Sequence, residues 1–78
     1  MSQQETNYRD HVIINSASGF SQGPCIASYA VWKPKFSEDG YDLVFNGSLP
    51  TPFNDSLQAI AAAMQTAQEK LDRLLADQ

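Results

Sequence analysis

The stretch Cys25-Ile26-Ala27-Ser28-Tyr29-Ala30-Val31-Trp32 decides the fold. It is rich in β-branched and aromatic residues, and the Lys33-Pro34 pair that follows ends it, because proline cannot donate to a ladder and restricts the residue before it. Laid on a pleat, the stretch divides by parity. Cys25, Ala27, Tyr29 and Val31 share one face, and Ile26, Ala30 and Trp32 share the other, with Ser28 as the only polar break. A strand that is apolar on both faces must be central and needs cover on each side.

Reading outward, His11-Val12-Ile13-Ile14-Asn15-Ser16-Ala17 has the same β-branched character and predicts the strand before it. Residues 1–9 are polar apart from Tyr8 and read as a flexible tail, which leaves residues 10–78 as one small domain. Downstream, residues 36–40 read as a turn and Tyr41-Asp42-Leu43-Val44-Phe45 as a third strand. Asn46-Gly47 signals a tight turn or a bulge, and the proline-stiffened residues 49–53 read as an extended connector or a short added edge strand. The last third is helical. Leu57, Ile60, Ala61, Met64, Ala67, Leu71, Leu74 and Leu75 recur at helical spacing, behind an N-cap supplied by Asn54, Asp55 and Ser56. The order β-β-β-α predicts an α+β domain: a three-stranded antiparallel sheet with one C-terminal amphipathic helix packed on one face.

One motif suggests catalysis. Gly19-Phe20-Ser21-Gln22-Gly23 matches the G-x-S-x-G elbow of α/β-hydrolases. That elbow requires a helix after its serine, whereas Ser21 is followed by Gln22-Gly23-Pro24 and a β-rich run. It also requires a histidine downstream of the nucleophile, and the only histidine is His11. A hydrolase fold needs several crossover units of roughly 30 residues each, which 78 residues cannot hold. The pentapeptide is therefore read as the connection between strands one and two. His11, Cys25 and Asp42 form the other conceivable catalytic set, but His11 reads more simply as a strand start and Cys25 as a small buried hydrophobe. One histidine and one cysteine do not make a zinc site, and the residues around Glu38, Asp39 and Asp42 lack calcium-loop spacing, so no metal, cofactor or catalytic residue is expected.

Charge narrows the partners. Five basic residues stand against nine acidic ones, a net charge of −4, which disfavours nucleic acid and anionic membrane surfaces. Sheet-plus-helix domains resembling this order do bind nucleic acid among double-stranded-RNA-binding and integrase-type modules, but no basic helix face accompanies the likeness: Lys70 and Arg73 sit beside Glu69 and Asp72. A lone cysteine, a polar first decad and the lack of a membrane-length apolar run predict a cytoplasmic protein.

A single helix covers one sheet face only. The other is expected to expose Ile13, Ile26, Trp32 and Val44 as a candidate interface for a protein partner or a second copy in a homodimer. The predicted function is protein interaction or homodimerisation without catalysis. A nucleic-acid module is the first alternative, and a small-ligand binder or enzyme built near Tyr29, Trp32 and Tyr41 is the second. If the 19–23 loop is structural, Ser21→Ala leaves thermal stability unchanged, while Gly19→Val and Gly23→Val lower it wherever the glycine has positive φ.

Overall fold

The computed structural model describes residues 2–19, 24–35 and 40–77. Four strands, β1 (Ser2–Tyr8), β2 (His11–Gly19), β3 (Cys25–Pro34) and β4 (Tyr41–Ser48), precede one helix, α1 (Ser56–Ala76). The strands form an antiparallel meander in the order β1-β2-β3-β4, with α1 lying across β2 and β3 on one face. The α+β class, the antiparallel sheet and the C-terminal helix agree with the sequence; the strand count does not. The sheet has four strands because Ser2–Tyr8, read above as a tail, pairs along β2 from Ser2↔Ala17 to Tyr8↔His11. A polar edge strand carries no apolar alternation for the sequence to reveal, and its backbone pairing supplies what its side chains do not.

The β1–β2 turn is equally hard to read. Arg9 and Asp10 connect paired Tyr8 and His11, and both have positive φ, 51° and 65°. This is the conformation of a two-residue hairpin loop, usually built with Asn-Gly, so two non-glycine residues hold it under strain. A local clamp offsets that strain. Arg9 Nη1 donates to Asp72 Oδ1 at 2.8 Å, the Tyr8 hydroxyl lies 3.0 Å from both Asp72 oxygens, and His11 Nδ1 lies 2.8 Å from the Arg9 carbonyl. Asp72 belongs to α1, so the clamp also ties the edge hairpin to the helix.

The helix begins at Asp55, whose side chain accepts the Leu57 amide at 3.0 Å. Its buried ridge is narrower than the predicted stripe. Ala59, Ile60, Ala63, Ala67 and Leu71 are buried, whereas Leu57 is 74% exposed and Leu74 39%. The alanines at 59, 63 and 67 repeat every four residues and let the helix axis approach the sheet closely. Facing them are Ile13, Ala17, Cys25, Ala27, Tyr29 and Val31, all at or below 4% exposure. Asn15 is fully buried among them, and neither atom of its amide has a protein hydrogen-bond partner. Such a group costs of the order of 1–3 kcal/mol.

Beyond the reach of the helix, β4 is joined to the core by side chains from β3. The Tyr29 ring meets Phe45 edge-on, with centroids 6.2 Å apart. Its hydroxyl accepts from Lys70 Nζ at 2.6 Å; at 5.2 Å from the ring centroid the ammonium lies off the hydroxyl edge, so this is a hydrogen bond more than a cation–π contact. Asn46-Gly47 is no turn here but part of β4. Gly47 leaves room for the Tyr29 ring: a Cβ there would lie 2.6 Å from the Tyr29 hydroxyl, which would have to shift. The irregularity falls earlier: Phe45 opposes Val31 while Leu43 opposes Trp32, which leaves Val44 as the extra residue of a bulge. The connector then runs back along β3, with Leu49 N donating to Ala27 O and Phe53 exchanging both backbone bonds with Cys25.

Of the 19–23 loop, Gly19 is described. Its φ is +140°, and a Cβ there would collide with the Pro24 carbonyl, which supports its structural role. Phe20, Ser21, Gln22 and Gly23 lie outside the described residues, as do Glu38 and Asp39.

The clamp titrates at two ends. Hydrogen bonds from Arg9 and then Tyr8 hold the Asp72 carboxyl below its ordinary range. The bond to Asp72, followed by partial desolvation and the carboxylate charge, raises the Tyr8 phenol above its own, against the opposing charge of Arg9. A lowered carboxyl stabilises the fold above its unfolded pKa of about 3.9, and this is lost as pH falls through the folded value; a raised phenol stabilises below about 10, and this is lost as pH rises through the folded value. The stability difference between the wild type and Asp72→Asn, measured by urea unfolding, is therefore expected to be flat across neutral pH and to shrink at both extremes.

Candidate functional site

The pleat assigns each strand residue to a face. The odd-numbered residues of β2 and β3 point toward α1, and the even-numbered ones toward the opposite face, which no described element covers. Cross-strand pairing arranges that open face in rows of four, each running from β1 to β4. Asn7, Val12, Trp32 and Leu43 form one row. Glu5, Ile14, Ala30 and Asn46 form the next, and Gln3, Ser16, Ser28 and Ser48 the third. Pro34 and Tyr41 extend the apolar end, while Ser18 and Ile26 lie past the serine row.

Two properties stand out. Glu5 is the only ionisable group in the three rows, and it lies on the edge strand. The rows are also graded along the strands, from Tyr41, Trp32, Leu43 and Val12 at one end to three aligned serines at the other. At the apolar end, Glu5, Val12, Ile14, Trp32 and Tyr41 line a shallow depression of about 280 Å³. Tyr41 is 55% exposed, Leu43 47% and Ile26 40%, while Val12, Ile14 and Trp32 are half-buried by one another.

The four residues expected on this face divide evenly. Trp32 and Ile26 are there. Ile13 is not: it is fully buried beneath the helix, and its neighbours Val12 and Ile14 take the open face. Val44 is not either, because the bulge turns it with Phe45 onto the helix side, where both pack against the core. Leu43, Val12 and Ile14 take their place. Three consecutive apolar β-branched residues, Val12-Ile13-Ile14, conceal the phase of β2; only the requirement that polar Ser16 and Ser18 face outward would have fixed it. Of the three residues named for a ligand pocket, Trp32 and Tyr41 share the depression and Tyr29 lies on the opposite face.

A larger cleft, about 800 Å³, lies at the turn end and is lined by Arg9, Asp10, His11, Lys33, Pro34, Lys35 and Leu75. It gathers cations, yet Arg9 pairs with Asp72 at 2.8 Å and Lys35 approaches Asp42 at 3.7 Å, so much of its charge is balanced internally. His11 and Cys25 do not converge. They lie at opposite ends of the β2–β3 pair, about 26 Å apart at about 3.3 Å per residue, which leaves no Cys-His-Asp assembly. Among the described residues no three His, Cys, Asp or Glu side chains cluster as metal ligands, and no helix is long and apolar enough to cross a membrane. No family model, curated protein or solved structure matches the chain.

Opposite faces imply opposite sensitivities for similar substitutions. In dilute protein, Val31→Ser removes a fully buried side chain and is expected to cost about 2–4 kcal/mol. Leu43→Ser on the open face is expected to cost less than about 1 kcal/mol. Urea midpoints in the reverse order would contradict this assignment of faces.

Proposed function

We propose that this chain is a protein-interaction module that buries its open sheet face against another protein and acts by binding rather than catalysis. The observation that carries the reading is the composition of that face. Three rows spanning four strands hold one ionisable group, while charge lies along the turns, the outer face of the helix and the cleft. Interface centres are depleted of charge and enriched in aromatic residues, and Trp32 and Tyr41 fit that pattern. A nucleic-acid surface would need cations on the same face to displace counterions, and those rows contain none. A reducing, cytoplasmic setting is part of the proposal, because the lone cysteine packs in the core.

The face is expected to bind the apolar dye anilinonaphthalene sulfonate at submicromolar protein concentration, with near-UV dichroism and cooperative unfolding showing that the fold is intact. Leu43→Ser and Trp32→Ser should each lose most of the dye signal, and Leu57→Ser, which alters an exposed helix residue, should keep it. A folded wild-type protein that binds no dye, or equal binding by all variants, would remove the basis of the proposal.

A further inference from the structure

We infer that the occupant of the open face is a second copy of this chain, stacked face to face with the two-fold axis close to the strand direction. The inference rests on reading that face as an interaction surface, and adds both the occupant and the geometry.

Area is the first argument. Four strands about 4.8 Å apart and roughly eight residues long give a projected face of about 500 Å². With side-chain relief this approaches the ~800 Å² per partner of a standard interface. Two such sheets, each already backed by a helix, would form a four-layer α-β-β-α particle, and aligned sheets pack about 10 Å apart with their strands within about 30° of one another.

Symmetry is the second argument. A two-fold axis lying in the interface runs either along the strands or across them. An axis across the strands reverses the graded direction, placing the serine row over the apolar row, and sets β1 on β1, so that Glu5 faces Glu5. An axis along the strands, between β2 and β3, keeps each row over the same row and reverses its order. Trp32 then lies over Val12 of the second copy and Ile14 over Ala30, so the larger side chain meets the smaller in both rows. Ser16 lies over Ser28 of the second copy, hydroxyl on hydroxyl. Glu5, the one charge, lies over Asn46 of the second copy, an amide that can donate to it. At the margins Asn7 lies over Leu43 of the second copy and Ser18 over Ile26, so it is the centre of the face that is self-complementary, in size and charge, under one operator and not the other, as an isologous interface requires.

Sedimentation equilibrium across the micromolar range tests this. The wild type is expected to dimerise, and Trp32→Ser, checked for native circular dichroism, to weaken the dimer by at least about a hundredfold, with Leu43→Ser as a milder second variant. Asn46→Lys decides the geometry. It places an ammonium over Glu5 twice per dimer and should tighten the Kd by roughly three- to tenfold at low salt, an effect that high salt removes. An axis across the strands would set lysine over lysine, so a dimer loosened by Asn46→Lys overturns the stacking. A protein that stays monomeric throughout overturns the second copy as occupant. In that case dye bound at the face keeps the interaction reading, and its absence ends both.

Discussion

A helix is about 10 Å across, and a four-stranded sheet is nearly twice as wide. One helix can therefore cover two strands of one face, and the rest of this structure follows from that mismatch. The helix lies on β2 and β3, whose inward residues are the buried ones. The two outer strands are attached by other means. β1 is fastened at one end, where Tyr8 and Arg9 converge on Asp72. β4 is attached through Tyr29, which spans the gap between Lys70 on the helix and Phe45 and Gly47 on the strand. Both devices link positions more than 15 residues apart in sequence, and each uses a tyrosine that packs by its ring and bonds by its hydroxyl.

Close approach has its own requirements. The alanine ridge at 59, 63 and 67 brings the helix down onto the sheet, and every larger residue on the ridge sits near one of its ends. Gly47 has no side chain because Tyr29 occupies the space, and Gly19 none because the Pro24 carbonyl does. These are steric demands of neighbouring atoms, so the glycines mark contacts. Asn15 departs from the apolar core: among the described residues its amide, like the Trp32 indole nitrogen, is buried without a protein hydrogen-bond partner, and the packing offers no physical reason for it.

Much of this was legible in the sequence, and the failures have identifiable causes. The central strand, the helix and its Asp55 cap follow from period-two and period-3.6 patterning. The edge strand β1 does not, because SQQETNY is held by backbone pairing and its turn lacks the glycine that usually announces a hairpin. The open face was legible as a consequence of having one helix, but its membership was not. Ile13 reads onto it as readily as Val12 because three apolar residues in a row carry no phase. Val44 reads onto it because a bulge shifts register without altering composition. Trp32 and Ile26 were recovered because the strand that holds them is long and regular enough for parity to hold throughout.

The central claim is that the face opposite the helix, which no described residue of one chain covers, is covered in the working protein. Trp32, the only tryptophan, lies on that face and reports on it directly. Its emission maximum followed through a dilution series is the most direct measurement. The account predicts a shift to longer wavelength on dilution, reversed on concentration, while far-UV dichroism stays constant. An emission maximum that does not change with concentration, across a range in which sedimentation finds the protein associated, would show that association buries some other surface and would contradict the account.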